Sequence, residues 1–115
     1  MLHHVPPAQG ASRERPGFSA VDILATSAAN IAEICLTNRY PETGFAMNRH
    51  SEMFVRVLEG RVTLTCEGYE ATLQPGSTVV VEPNRPYFWL PDRFVRLLVF
   101  STPPWTPEQH LHLPE

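Results

Sequence analysis

Turn-forming residues cut this chain into short segments, which restricts it to a fold made of many small elements. Of its 115 residues, 12 are proline and 6 are glycine. Proline interrupts helices and central strands, and no long stretch places its apolar side chains at helical spacing. The sequence therefore favours short strands joined by turns over a bundle of helices.

Between the turns, apolar and polar side chains alternate as they do in half-buried strands. Val62, Leu64 and Cys66 share one face of residues 61–66, and Glu67-Gly68 then forms a tight hairpin turn. Turn signals recur about every eight to twelve residues and predict an all-β sandwich or barrel in a single domain. The other predicted strands lie at residues 18–24, 31–38, 45–50, 52–60, 69–73, 77–83, 87–90 and 94–100.

The two ends of the chain differ from its centre in composition. Residues 1–16 are polar and hold three prolines, which predicts a flexible arm before a barrel at residues 17–101. Residues 102–115 hold four prolines, so this tail is expected to form no regular strand and to pack on the barrel through Trp105. His110 and His112 in the tail are not expected to hold a metal, because such a pair needs an ordered third ligand.

Charge and composition exclude several classes of partner. The net charge is −3 and there is no basic stripe or tail, so neither nucleic acid nor an anionic membrane surface is expected. No apolar run approaches the roughly 20 residues that span a bilayer, and the N-terminal residues lack the apolar segment of a secretory signal. The chain is therefore expected in the cytoplasm, with Cys35 and Cys66 as free thiols.

Two stretches resemble the sequence motifs of the small single-domain cupins. VRVLEGRVTLTCEG, residues 55–68, is similar to the cupin segment in which a strand runs through Val-Leu-Glu-Gly into a second strand and a glycine turn. LQPGSTVVVEPNRPYFW, residues 73–89, is similar to the cupin run of a Pro-Gly turn, an apolar strand and a proline-rich turn. The resemblance covers roughly residues 40–100. It implies an RmlC-like double-stranded β-helix, which is a jelly-roll-like barrel, and a homodimer.

Most ligand positions of the metal-binding cupins are replaced in this chain. In the first motif those proteins use two histidines with one residue between them, followed by a glutamate. In the second motif they use one further histidine. Asn48 stands at one of the paired histidine positions, beside His50. Met53 stands at the glutamate position, next to Glu52, and Tyr87 stands in place of the last histidine. The metal site is therefore expected to be degenerate and no cofactor is expected; a divalent transition metal, if bound, would use His50 and Glu52.

The side chains expected to point into the barrel form a candidate ligand site. Asn48 and His50 share a face if their strand is continuous, and the resemblance turns Tyr87 inward. The candidates for catalysis are His50, whose imidazole suits proton transfer at neutral pH, together with Tyr87 and Glu52. The full set expected to contact a ligand is Asn48, His50, Val55, Val57, Tyr87 and Trp89.

Three functions are consistent with these residues. The first is a cupin that binds a small molecule in the barrel without a metal. The second is a small cupin enzyme, either a metal-dependent oxygenase or a metal-free isomerase or cyclase that uses His50 as base and Tyr87 as acid. The third is a structural or regulatory dimer whose barrel is filled by side chains. The fold alone does not choose among them, because one fold carries many functions.

Overall fold

The computed structural model describes residues 12–114, which fold into a nine-stranded, curled antiparallel sheet. A single short 3-10 helix, Pro107–Gln109, interrupts the strands of this part of the chain. The strands are β1 (Ser12–Arg15), β2 (Phe18–Ala25), β3 (Asn30–Leu36), β4 (Phe45–Asn48), β5 (Glu52–Cys66), β6 (Tyr69–Leu73), β7 (Thr78–Val81), β8 (Tyr87–Thr102) and β9 (His110–Leu113).

Two long strands, β5 and β8, run antiparallel along most of their length and join the two sides of the barrel. Their pairing shifts register on either side of Gly60, where both strands bend. Gly60 has a φ of 80°, and a Cβ there would overlap the Phe94 carbonyl oxygen across the pair. Glycine is therefore required at this bend, because an L side chain would be strained and would also collide with the partner strand.

This bend corrects the strand boundaries predicted from the sequence. Residues 52–60 and 61–66 were expected to be separate strands but form one strand, β5. Residues 87–90 and 94–100 likewise join through Pro91 into β8. Pro91 is tolerated there because it lies where the register shifts and the strand is already irregular.

Alternation along β5 and β8 builds the core. Inward-facing side chains of both strands are buried, while alternate residues such as Phe54 and Arg56 are exposed. The fully buried aliphatic residues Val55, Val57, Val62, Val95 and Leu97 form the centre of one hydrophobic cluster. Fully burying an aliphatic side chain contributes roughly 1.5–3 kcal/mol, so this cluster fixes the register that positions the barrel interior.

Both chain ends are more regular than the sequence predicts. Ser12–Arg15, within the predicted arm, forms β1 and pairs with β2, while residues 1–11 lie outside the described part. His110–Leu113, within the tail expected to lack a strand, forms β9 and pairs with β4. Pro107 begins the preceding 3-10 helix, so the last four residues before Pro114 are free of proline and can pair. Within residues 12–114, the structure shows no helix that is long and apolar enough to cross a membrane.

Candidate functional site

A cavity of about 100 Å³ opens at one end of the barrel. Strands β1, β2, β3, β5 and β8, the loop before β4 and the C-terminal tail supply its walls. A second space of about 40 Å³ lies nearer the core and shares six wall residues with the first. The polar and aromatic residues that line the larger cavity are Arg13, Arg15, Phe18, Asn30, Tyr40, Tyr87, Ser101, Trp105 and His110.

Asn48, the last residue of β4, organises the polar side of this cavity. Its side chain is buried, and its Oδ1 accepts hydrogen bonds from Trp105 Nε1 at 3.0 Å and from His110 Nδ1 at 2.7 Å. Its Nδ2 points toward Met53 Sδ at 3.3 Å. Because β4 pairs with β9 at Asn48↔His110, strand register brings the amide and the imidazole together.

The hydrogen bonds around Asn48 fix the tautomer of His110. An indole N–H can only donate, so the Asn48 atom that faces Trp105 is the carbonyl oxygen. His110 Nδ1 contacts that same oxygen and must therefore carry a hydrogen. In the neutral ring Nε2 is then an acceptor, and it receives the hydrogen bond of the Tyr40 hydroxyl at 2.7 Å. We call this Tyr40–His110–Asn48 set the relay.

Burial keeps both titratable members of the relay neutral at pH 7. Desolvation lowers the pKa of His110 to about 4, and the positive charge of Arg15 acts in the same direction. Desolvation also raises the pKa of Tyr40, although Arg15 and Arg13 oppose that shift. Burial likewise raises the pKa of the Tyr87 hydroxyl well above its ordinary value. The cavity therefore presents two phenolic O–H groups and a neutral imidazole.

The C-terminal tail is held in place by a second buried amide, that of Gln109. Its Oε1 accepts hydrogen bonds from the backbone N–H groups of His50 and Ser51, at 3.0 and 2.7 Å. Its Nε2 donates to Ser51 Oγ at 2.9 Å. These contacts lock the turn between β4 and β5 to the segment that carries Trp105 and His110.

The structure places His50 outside the barrel, which corrects its predicted position. Strand β4 ends at Asn48 and β5 begins at Glu52, so residues 49–51 form a bend and the two-residue alternation does not continue from Asn48 to His50. The His50 side chain is exposed and does not line the cavity. Glu52 is half-buried at the start of β5 and does not line the cavity either, since its neighbour Met53 takes the inward position.

The other predicted site residues are inside the barrel. Tyr87 lines both spaces, and Trp89 and Val55 line the inner one. Asn48 is buried and bonded to wall residues, whereas Val57 is buried in the core and lines neither space. Tyr87 and Trp89 lie two residues apart with ring centroids 6.2 Å apart, so they form one aromatic wall.

The sequence did not single out Tyr40 and His110 as residues that line the cavity. Tyr40 lies in a turn-rich loop, and its bridge to Trp89 across the sheet cannot be read from local pattern. His110 was discounted because of the prolines around it. The alternation of His110, Leu111, His112 and Leu113 was the one local signal of a strand that could orient this histidine.

The residues at this site do not fit a transition metal. Both ring nitrogens of His110 and the Asn48 Oδ1 are already used in hydrogen bonds. Met53 offers a thioether where a hard or borderline ion prefers a carboxylate. Among residues 12–114 there is no group of three or more His, Cys, Asp or Glu side chains placed to hold a metal ion.

The structure, unlike the sequence, matches known proteins. Neither a protein-family model nor a curated protein sequence matches the chain. The Streptomyces protein Pac13, described as a nucleoside dehydratase with a β-barrel, superposes with a TM-score of 0.84 at 10% identity, over 99% of this chain and 92% of that one. An RmlC-like cupin from Shewanella frigidimarina superposes with a TM-score of 0.75 at 14% identity, over 90% and 92%. The chain has the fold of a small cupin. KdgF from Halomonas sp. shares this cupin barrel, with a TM-score of 0.77 at 12% identity over 94% and 98% of the two chains.

Within the cupin barrel, Tyr40 and His110 of the relay line the larger cavity, together with Arg13, Arg15 and Asn30. The inner part is lined by apolar and aromatic side chains. This arrangement suits a small molecule with one apolar or planar face and polar groups near Tyr40 and Tyr87.

Proposed function

We propose that this cupin binds a small polar molecule in its barrel and moves protons on it without a metal, as an isomerase or a lyase does. The observation that carries the proposal is the relay, whose outer member, Tyr40, lines the cavity. A base that contacts a proton carrier on one side and an orienting group on the other is the usual arrangement for proton transfer. Here His110 is the base, Tyr40 the carrier and Asn48 the orienting group.

The relay moves one proton in two linked transfers. A substrate C–H or O–H gives its proton to the Tyr40 oxygen, and the Tyr40 hydroxyl proton passes to His110 Nε2. The imidazolium that forms is stabilised through its Nδ1–H by the Asn48 carbonyl oxygen. Reversal of both transfers returns the proton to a second substrate atom or to a leaving hydroxide, which departs as water. Tyr87, which stays protonated, donates a hydrogen bond to a substrate oxygen.

The structural neighbours guide the choice of a first probe. Three variants of Pac13, one His→Gln and two Tyr→Phe, have been solved with uridine. A planar, uncharged pyrimidine suits the aromatic wall of Tyr87 and Trp89. A cavity of about 100 Å³ has room for about three water molecules. Only part of a nucleoside would therefore enter it.

Deuterium exchange tests the proposed chemistry directly. The protein is incubated in D₂O with nucleosides, nucleoside 5′-phosphates, uronic acids and hydroxy ketones, and loss of C–H signals is followed by ¹H NMR. We expect exchange or elimination on one class with the wild type, and a fall of about 10²-fold or more in Tyr40→Phe and His110→Gln. His50→Ala is the matched control and should keep full activity. Exchange that is unaffected by Tyr40→Phe would contradict the role given to the relay.

A binding protein without catalysis is the second candidate. Every polar atom of the relay already has a partner, which is also what a rigid binding wall requires. The cavity is moreover below the roughly 300 Å³ at which ligand sites usually begin. If the protein only binds its ligand, calorimetry should detect uridine binding, and Tyr40→Phe should bind uridine as tightly as the wild type. No proton of any probe should then exchange with deuterium.

We also propose that the protein forms a homodimer through the outer face of the sheet. An apolar row crosses four strands there. Arg56 lies two residues from the row on β5, and Glu33, which also contacts Arg96 at 3.5 Å, lies two residues from it on β3. A second copy turned by half a revolution would place Arg56 opposite its partner's Glu33. The row is formed by Val80, Phe54, Phe100 and Ile31.

Light scattering after gel filtration tests the dimer. Phe54→Glu should convert the wild-type dimer to a monomer, because it buries a charge in the interface. Leu90→Glu is the matched control, since Leu90 is exposed but lies outside the row. A monomeric wild type, or a Phe54→Glu protein that stays dimeric, would refute this part of the proposal.

A further inference from the structure

Two arginines stand at the mouth of the cavity. Arg13 and Arg15 lie two residues apart on β1, so both side chains face the same way and both line the opening. Among the described residues, no Asp or Glu lines this cavity. The chain as a whole carries a net charge of −3, so the concentration of positive charge at this opening is local.

Arg13 lies beside the relay, against Trp105 and Asp22. Its guanidinium lies 4.7 Å from the centroid of the Trp105 ring, and its NH2 nitrogen (Nη2) is 3.1 Å from Asp22 Oδ1. Its Nε is buried, and within residues 12–114 no acceptor lies within hydrogen-bonding distance of it. The side chain as a whole is still about one-third exposed, so the rest of the guanidinium can meet a ligand that enters the cavity.

Arg15 is the more exposed member of the pair. Its side chain is exposed, and its guanidinium lies 5.7 Å from the Phe18 ring. The described part of the chain gives it no hydrogen bond or ion pair. The mouth thus holds two guanidinium charges against the single carboxylate of Asp22, which leaves one positive charge uncompensated.

We propose that Arg13 and Arg15 form a subsite for the anionic group of the ligand, a carboxylate or a phosphate, while the rest of the molecule enters the cavity. This inference rests on the proposed function, since it names the ligand class of the same site. Guanidinium groups bind both kinds of oxyanion through paired charge-assisted hydrogen bonds. An anion held at the mouth cannot enter the apolar inner space, so it would fix which end of the molecule meets Tyr40.

The subsite would also act on the relay. Burial is the main cause of the low pKa of His110, and the positive charges of Arg15 and Arg13 and the neighbouring His112 add to it. A bound anion would offset the charge of the two arginines and so make it easier for His110 to accept a proton. The groups that face His110 are Tyr40, Asn48, Trp105, His112, Arg13 and Arg15.

Inorganic phosphate serves as the probe, because it tests the anion subsite without any assumption about the rest of the ligand. Phosphate is titrated into ¹⁵N-labelled protein, and the Arg13 Nε–H and Trp105 Nε1–H signals are followed. We expect saturable shifts of both signals below about 50 mM phosphate and about tenfold weaker binding in Arg15→Gln. Arg61→Gln, which removes an exposed arginine outside the cavity, is the matched control and should bind like the wild type.

The outcomes separate the subsite from the chemistry. Signals that do not saturate, or equal weakening by Arg15→Gln and Arg61→Gln, would overturn the subsite. Saturable phosphate binding that is weakened by Arg15→Gln and not by Arg61→Gln supports the subsite. If no probe exchanges deuterium, that result overturns the proposed catalysis and leaves the subsite standing. Exchange on uncharged probes that is as fast as on their phosphorylated forms would leave the catalysis standing and refute the anionic ligand.

Discussion

Replacing Asn48 by Asp should raise the pKa of His110 by several units while leaving the fold intact. The two side chains have nearly the same shape, and the new carboxylate can still accept the hydrogen bonds of Trp105 Nε1 and His110 Nδ1. It differs in carrying a negative charge next to the ring. An adjacent carboxylate favours the imidazolium, so the direction of the shift is upward.

The size of this shift follows from the geometry. Asn48 Oδ1 lies 2.7 Å from His110 Nδ1, which puts the centres of the two charges ~4 Å apart. At an effective dielectric constant of about 20 their attraction is about 4 kcal/mol, and 1.36 kcal/mol corresponds to about one pKa unit. The pKa of His110 should therefore rise from about 4 toward about 7 in Asn48→Asp.

An NMR titration of the histidine ring signals measures this shift, with the His110 signal assigned by its loss in His110→Gln. Asn38→Asp adds the same charge at an exposed position and should leave the His110 pKa unchanged, because solvent screens it. A His110 pKa in Asn48→Asp within half a unit or so of the wild-type value would refute the reasoning, since it would mean that Asn48 does not contact the ring in solution.

Three further predictions concern stability. First, unfolded His110 binds a proton near pH 6.5 and the folded form only near pH 4, so acidification through this window should lower the free energy of unfolding. The loss should reach about 2 kcal/mol after allowance for solvent screening, as measured by urea unfolding, and should vanish in His110→Gln. Second, Gly60→Ala should lower the free energy of unfolding by about 3 kcal/mol or more, because its Cβ would meet the Phe94 carbonyl oxygen. Gly68 has a similar φ of 79° but open space around it, so Gly68→Ala should lower it by only about 1 kcal/mol. Equal losses in the two variants would contradict the close approach at Gly60. Third, Trp105→Phe should lower the unfolding free energy by about 1 kcal/mol through loss of its hydrogen bond to Asn48, and an unchanged value would show that the bond contributes nothing.

The sequence predicts the barrel well because its evidence for strands is local. A period of two puts Val62 and Leu64 on one face of residues 61–66, and Tyr87 and Trp89 on one face of their strand, and all four are buried. The cupin-type fold was implied by the motifs at residues 55–68 and 73–89, and the structural matches confirm it. Strand ends are less certain, because a register shift such as that around Gly60 is a property of two strands together.

The candidate site is harder to predict because it depends on residues far apart in the chain. His50 was favoured over His110 on the assumption that the alternation at Asn48 continues two residues further. The bend at residues 49–51 breaks this continuity, and Gln109 stabilises the bend from almost sixty residues away. Asn48 and Tyr87 were expected inside because they stand at ligand positions of the cupin motifs, and both are buried where they lie in β4 and β8.

The relay is the central claim, and the protonation of its imidazole tests it most directly. Two-bond ¹H–¹⁵N correlation spectra of the uniformly labelled protein at neutral pH report the state of each ring nitrogen of His110. We expect a hydrogen on Nδ1 and none on Nε2, with the Nε2 signal shifting in Tyr40→Phe when the hydroxyl hydrogen bond is lost. A hydrogen on Nε2, either alone or in a doubly protonated ring, would contradict it.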